Sequence, residues 1–330
     1  VGAGGAFGLL ARHTRHAALA GLHRYTQPWE ARATLQLRNG DPAALHEYAA
    51  HHRLHAAPTD TPPEHERDLI LDAAIAAWAA DHAAGEQALL LAADTATPTE
   101  LNARARTTRL LAGQVTAQGV PLRDGTTAGI GDLIRARHNT RSLTDTAGHW
   151  IRNGDPLHVT AIHPDGSLTA HRPTPDPGNG GTAGEEPAVV RLPAPYVAEH
   201  VDLGYALTTH RAQSLTTDTA HLVLTPGSSR EALYVGLTRG RDANHTWVTT
   251  TPTGSDRHDT PGLRPRPPAP LDVLQHTLAT TSIEPSATEQ LDTLHRAAQH
   301  SWTHRYPSRP DPAPRPGHVA PGHPAPGLSR

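Results

Sequence analysis

At 330 residues and 36% hydrophobic, the chain is long enough to bury one large core or two ordinary ones. A formal charge of −3 with histidine neutral neither favours nor excludes nucleic acid, because a basic groove can hide inside a neutral total. No stretch reaches the ~20 apolar residues of a membrane span, and the absence of cysteine excludes disulfides, thiolate catalysis and cysteine-held zinc.

The chain opens on Val1 in a Gly/Ala-rich turn, as if cut from something longer, and shows no secretory leader pattern. A cytoplasmic location is the expectation. Leu9 to Leu22 is Ala-rich with helical apolar spacing. Pro28-Trp29-Glu30 reads as a helix start, and Trp29, Ala33 and Leu37 share one helical face. Asn39-Gly40-Asp41 breaks that helix, and Asp41 can cap the next, Pro42–Ala50. Glu64–His82 is a longer helix, with Leu69, Ala73, Ala76 and Ala80 at near-helical spacing. Gly85 ends it. Ala88–Ala93 is a continuous apolar run, the mark of a strand buried on both faces of a parallel sheet. A turn at Asp94–Pro98 leads into a helix over Thr99–Ala112.

From Val115 to Tyr196 the character changes to short strands and glycine turns. Leu157–Ile162 and Ser167–His171 flank the hairpin turn Pro164-Asp165-Gly166, and Val189–Leu192 is another short strand. Asp176–Glu186 is a glycine-rich loop. The α/β alternation then resumes. Leu203–Leu207 is strand-like, Thr209–Ser214 begins a helix, His221–Leu224 is a strand, Ser228–Arg239 a helix capped by Ser228, and Thr246–Thr249 a final strand. Proline dominates after Thr250, with helical patches at Leu271–Ala279 and Ala287–His300. Pro307–Arg330 has the composition of a disordered tail. The fold class predicted is α/β: a parallel sheet domain with a small inserted β-barrel and a Pro-rich tail. The boundaries expected are 1–114 and 199–252 for the two parts of the sheet domain, 115–198 for the insertion, and 253–330 for linker and tail.

The most specific segment is Gly204-Tyr205-Ala206-Leu207-Thr208-Thr209-His210-Arg211-Ala212-Gln213-Ser214. It is followed by Arg230-Glu231-Ala232-Leu233-Tyr234-Val235-Gly236-Leu237-Thr238-Arg239-Gly240-Arg241. In order and spacing, these two blocks resemble motifs V and VI of superfamily 1 DNA helicases of the RecD-like branch. The resemblance is nearest to the helicase portion of MobF-type (TraI- and TrwC-like) conjugative relaxases. It covers residues 1–250, and more weakly Ser286–Leu294. It implies a RecA-like second motor domain whose insertion lies along single-stranded DNA. It also implies that Arg239 is an arginine finger, whose planar fork suits phosphate oxygens. Leu22–Gln27 resembles motif IV, which gives Arg24 a similar role. Thr208, Thr209 and His210 would touch DNA phosphates. Gln213, Ser214 and Arg241 would couple DNA to nucleotide. Ser214 departs from the family, which has glycine there. Arg135 and Arg137, in a basic run with Asn139 and Arg141, would face DNA from the insertion. A solvated face is the other reading of that run.

The phosphate-binding half of an ATP site is not in the sequence. A Walker A loop requires a lysine, and all 29 basic residues are arginine. Leu89–Asp94 imitates a Walker B strand, but no glutamate follows Asp94. ATP and Mg²⁺ are therefore expected only together with a first RecA-like domain, in the same or a separate chain, and the chain alone is not expected to hydrolyse ATP. The partners implied are single-stranded DNA and that missing domain, with no membrane. By resemblance the complete protein unwinds DNA 5′→3′. A stand-alone DNA-binding module and a gene remnant are the alternatives. His46, His51, His52 and His55 cluster without a zinc motif and read as solvent-facing; no metal site is expected. Gly2–Gly8 fails the dinucleotide-loop spacing at Phe7.

Overall fold

A computed structural model describes residues 14–15, 24–173, 187–251, 268–282, 291 and 294–295. The chain divides into two compact units. One comprises residues 1 and 17–282 and holds nearly all the described positions. The other joins 2–16 to 283–330, with residues 291 and 294–295 helical. The Pro-rich tail, the loop at Asp176–Glu186, nearly all of Leu9–Leu22 and most of Ala287–His300 lie outside the described residues.

The larger unit begins with α1 (Pro28–Asn39) and α2 (Ala43–Ala50). Ala33 and Leu37 are fully buried, as their spacing predicts. Asp41 accepts the Ala43 N–H at 2.9 Å from one residue before the N-cap position of α2, which is Pro42. β1 (Leu54–Ala56) follows. This three-residue strand escapes sequence reading because it is too short for a period and sits among histidines. α3 (Pro63–Ala83) buries Ile70, Leu71, Ala74, Ile75 and Trp78. Of the expected stripe, Leu69, Ala76 and Ala80 are exposed and only Ala73 packs against the core. A one-residue offset turns a helix by about 100°, and alanine on both faces hides which side is the core.

β2 (Ala88–Ala92) is fully buried. Ala88, Leu90 and Ala92 face the core under α3 and α4 (Thr97–Leu111), while Leu89 and Leu91 face the core under α1 and α2. That two-sided burial is why the run is apolar without alternation. Asp94 accepts the N–H groups of Ala96 and Thr97 and the hydroxyls of Thr97 and Thr225. Its carboxylate is thus used at the start of α4.

The insertion contains β3 (Gly119–Pro121), β4 (Thr127–Gly129), β5 (Leu133–Ala136), β6 (Thr140–Thr144), β7 (Trp150–Ile151), β8 (Pro156–Ile162), β9 (Leu168–His171), β10 (Val189–Leu192), a short helix α5 (Ala194–His200) and β11 (Val201–Leu203). Its main sheet has the order β10-β9-β8-β5-β11, antiparallel throughout, with β3–β4 and β6–β7 as separate ribbons. The β8–β9 hairpin turns at 164–166, as predicted.

The chain returns through β12 (Ala206–Thr208), β13 (Thr217–Leu224), α6 (Arg230–Gly236), β14 (Gly240–Val248) and α7 (Pro270–Ala279). The second sheet has the order β1-β14-β13-β2-β12 and is entirely parallel. The α/β class with a parallel sheet is thus as expected. Two boundaries move. The predicted strand Leu203–Leu207 is two strands in different sheets, with Val201–Leu203 pairing inside the antiparallel sheet. α6 is shorter than Ser228–Arg239, and its cap is Ser229, whose Oγ accepts the Ala232 N–H at 3.3 Å. Ser228 Oγ instead donates to the Thr225 carbonyl. Among the described residues no helix is long and apolar enough to cross a membrane.

Three histidines meet on neighbouring strands beneath α3. Arg53 Nη1 lies 2.8 Å from His245 Nε2, and His245 Nδ1 lies 2.9 Å from His55 Nε2. Trp247 donates to His221 Nδ1, leaving His221 Nε2 to donate to Asp81 at 2.7 Å. Since arginine can only donate, His245 is a neutral acceptor at Nε2. Burial first, then the neighbouring His221 and Arg53, hold its pKa down at about 3. The unfolded chain takes up this proton below pH ~6.5, whereas the folded chain resists until about pH 3. This contribution to stability is complete above pH ~6.5 and declines as pH falls, by at most about 1.4 kcal/mol per pH unit. Urea melts at pH 7 and pH 5 should show the loss, and His245→Asn should make it shallower; an unchanged slope would mean the ring takes up its proton in the folded chain as readily as in the unfolded one. The solvent-facing reading of the histidine cluster fails for His55, which joins this network; His46, His51 and His52 are exposed, His51 with one ring face stacked on Trp29 at 3.9 Å.

Candidate functional site

The passage from one sheet to the other is made at Gly204. A Cβ there would lie 2.8 Å from Arg135 Cγ and 3.1 Å from the Ile134 carbonyl carbon, so only glycine lets β11 and β12 run this close to β5. Asn102 of α4 then clamps the edge strand β12, accepting the Ala206 N–H at 2.8 Å and donating to the Ala206 carbonyl at 3.2 Å. Beside it, Tyr205 donates to Asp132 at 2.5 Å. Asp132 is 0% exposed, and it also accepts from Arg106 Nε at 2.8 Å and from the Gly129 N–H. This buried knot ties α4, the insertion and the Gly204–Thr208 segment together.

A cleft opens at the carboxyl ends of β2 and β12, between the parallel sheet and the insertion. Ligands of open α/β sheets gather at such ends. Arg123, Arg135, Arg137 and Arg211 line it, with Thr95, Thr99, Asn102 and Thr208 between them. Asp202 neutralises part of that charge, gripped by Arg123 Nε and Nη2 at 2.9 Å each and by Arg137 Nε at 3.0 Å. Asp124 is the only other acid in the lining. Four arginines against two aspartates leave a net positive cleft. Arg135 donates to the carbonyls of Gly204 and Gly154. Burial, and then Arg137, push its pKa down to about 10, so it remains charged at neutral pH.

The second cluster lies around the turn after α6. Gly236 lets that helix sit directly on β13, because a Cβ there would come within 2.6 Å of Leu222. Arg239, 8% exposed, donates from Nε to the Val235 carbonyl at 2.9 Å and from Nη1 to the carbonyls of Ala212 and Leu215 at 3.1 and 3.2 Å. Nη2 donates to Thr238 Oγ1 at 2.7 Å. Four of its five N–H groups are therefore engaged within the chain. Arg24 comes alongside, its Nη1 donating to the Thr238 carbonyl, a contact spanning 214 residues of sequence. Tyr25 donates to the Leu237 carbonyl and the Thr26 N–H to the Arg241 carbonyl. Among the described residues neither Arg24 nor Arg239 makes an ion pair. Burial and the Arg24 charge both press the Arg239 pKa downward. Behind the pair, Glu30 is fully buried and accepts from Asn244, which holds Gly240 by both its N–H and its carbonyl. Burial raises the Glu30 pKa to about 7.

The residues predicted from sequence thus fall into two places. Thr208, Arg135 and Arg137 line the cleft; Arg24 and Arg239 meet at the second cluster. Thr209 is buried, its N–H extending the ladder to the Ala92 carbonyl at 3.0 Å, and His210 is exposed outside the cleft lining. Arg141 lies 5.8 Å from the Trp150 ring centroid, away from the cleft. Arg123 and Arg211 were missed: the first stands alone in a turn, and the second was passed over inside its own motif. Thr209–Ser214 is a run of turns, not a helix. It starts with Thr208 and Arg211 in the cleft and ends with the Ala212 and Leu215 carbonyls on Arg239. Gln213 and Ser214 lie on this bridge, and Arg241 joins the second cluster through its carbonyl. Ser214 has φ +75°, a left-handed conformation that costs a residue with a Cβ about 1–2 kcal/mol. Ser214→Gly should therefore stabilise the chain by about 1 kcal/mol in a denaturant melt; a loss of stability would show that the serine side chain is needed there.

Comparison with known proteins bears on the start of the chain. A family model described as an AAA domain matches residues 1–59. Two curated Mycobacterium tuberculosis proteins, named Uncharacterized protein MT2373 (strain CDC 1551 / Oshkosh) and Uncharacterized protein Rv2311 (strain H37Rv), are each similar to part of the chain. Both are 31% identical over 98 residues, 30% of this chain and 51% of their own length. The chain thus spans about half the length of the curated relatives it matches. Among solved structures, Pif1 helicase from Bacteroides in complex with ADP-AlF3 and single-stranded DNA aligns over 86% of this chain and 57% of its own, at 14% identity and a TM-score of 0.40. Pif1 helicase from Candida albicans aligns over 72% and 57%, at 13% identity and a TM-score of 0.39.

Proposed function

We propose that this chain is the second motor domain of a superfamily 1 DNA helicase, holding single-stranded DNA in the arginine cleft. The observation that carries the reading is that cleft: four arginines and several hydroxyl and amide side chains at the carboxyl ends of parallel strands, walled on one side by an inserted β unit. Phosphate oxygens suit such donors. The segment 208–215 would couple the cleft to the Arg24–Arg239 cluster. MobF-type relaxase membership and 5′→3′ movement rest on the motif resemblance.

The residues present fit one part of an ATP site. Arg24 and Arg239 can meet phosphate oxygens, but no lysine loop exists and Asp94 is spent on the start of α4. Arg239 would have to exchange backbone carbonyls for phosphate, a change that docking of a nucleotide-bearing first domain would drive. ATP and Mg²⁺ would then supply the energy for stepping, held between the two domains. The purified chain should bind oligo(dT) with an affinity that falls steeply with salt, and should not hydrolyse ATP with or without DNA. DNA binding that ignores salt, or turnover that survives purification, would overturn this reading.

A further inference from the structure

A second concavity, separate from the arginine cleft, lies where the C-terminal halves of α3 and α4 meet the insertion. Its volume is about 400 Å³, within the range of small-molecule sites. The other half of α4 lines the arginine cleft; Asn102 and Arg109, one in each lining, are about 10 Å apart along the helix.

The walls are aromatic and apolar. Trp78 and Tyr205 meet edge to face with centroids 5.9 Å apart, and Leu133 and two histidines, His82 and His158, complete much of the lining. The polar atoms of both large rings are already used. Trp78 Nε1 donates to the Ala88 carbonyl and Tyr205 to Asp132; the two rings are only 3% and 4% exposed, so they contribute an apolar edge to the wall and no free polar group.

Thr108, Gln114 and Arg109 supply the polar part of the lining, and Arg109 its permanent charge. Its guanidinium carbon lies 5.5 Å from the Tyr205 ring centroid. Its Nε is buried without a hydrogen-bond partner, and among the described residues it makes no ion pair. No carboxylate lines the cavity. The unneutralised charge also bears on its neighbours. After burial, Arg109 is the largest cause lowering the pKa of His82, and after burial and His171 it lowers that of His158. A half-buried arginine facing aromatic carbon with no acid beside it is costly unless an anion completes it.

We propose that this cavity binds a small molecule with an apolar body and a carboxylate, the body within the wall of Trp78, Leu133 and Tyr205 and the carboxylate on Arg109. The site is independent of the DNA cleft and does not rest on the helicase reading. The test uses the full 330-residue chain and saturation-transfer NMR, with indole-3-carboxylate as the charged probe and indole as the neutral one. The carboxylate should bind at least tenfold more tightly than indole, and Arg109→Gln should erase that difference while leaving the melting temperature in place. Ala112→Phe, which adds a ring to a residue of the lining, should block both probes. Equal binding of the two probes, no binding of either, or displacement by oligo(dT) would overturn the proposal. Should Arg109→Gln fail to fold, the comparison of charged and neutral probes with Ala112→Phe still decides it.

Discussion

Asp132→Ala should cost about 3–5 kcal/mol, a fall of roughly 10 °C in melting temperature. The carboxylate is 0% exposed and accepts from three donors: the Arg106 guanidinium, the Tyr205 hydroxyl and the Gly129 N–H. Removing it leaves a charged arginine and a phenol buried without their acceptor, which costs more than the pair itself contributed. The Tyr205 pKa, held above its ordinary value by burial and then by Asp132, should relax toward it in the variant. Asp132→Asn retains an acceptor and should lose about half as much. A loss under 1 kcal/mol for Asp132→Ala would mean that water reaches this knot and the insertion is held to α4 by other contacts. Because the same knot seats Gly204–Thr208, the alanine variant should also weaken DNA binding beyond what its unfolded fraction explains.

The arginine cleft makes the second large prediction. Each phosphate contact removed from a single strand should lower the slope of log affinity against log salt by about 0.7. Arg211→Gln and Arg123→Gln together should reduce that slope by about 1.4 and weaken oligo(dT) binding by one to two orders of magnitude at low salt. Arg211 makes no ion pair among the described residues, so its loss should act mainly on DNA. Arg123 also holds Asp202, so its removal leaves that acid to Arg137 alone and should exceed the effect of Arg211→Gln. Fluorescence anisotropy across a salt series measures both quantities. Lower affinity with an unchanged slope would mean that the cleft has collapsed and that neither arginine touches phosphate. Arg135 is a poorer choice for this test, since its bonds to Gly204 and Gly154 make it part of the wall.

The parallel sheet was legible because burial on both faces writes a continuous apolar run, as in Ala88–Ala92. The hairpin at 164–166 was legible because its turn chemistry is local. Helices announced themselves through proline starts and glycine stops, but α3 was turned the wrong way, since its alanines look alike on every face. Gly204 was quoted as the first residue of a motif; nothing in the sequence says that the chain changes sheets there. Ser214 was read as a departure from glycine, and its left-handed backbone supplies the physical content of that departure.

By itself the sequence determined the class of fold, the lack of a phosphate-binding lysine and the two blocks that hold Thr208, Arg211 and Arg239. These are properties of local pattern and residue type. Only the tertiary structure decided which of those residues meet. Arg24 reaches the Thr238 carbonyl, next to Arg239, across 214 residues, Arg123 reaches Asp202 across 79, and Asp132 joins Tyr205 across 73. The tertiary structure also showed that Arg239 is bonded to its own backbone and that Arg109 stands over an aromatic cavity with no acid beside it. Pairing of this kind depends on how helices and sheets stack, and on which donors and acceptors burial forces together, and no spacing along the chain records it.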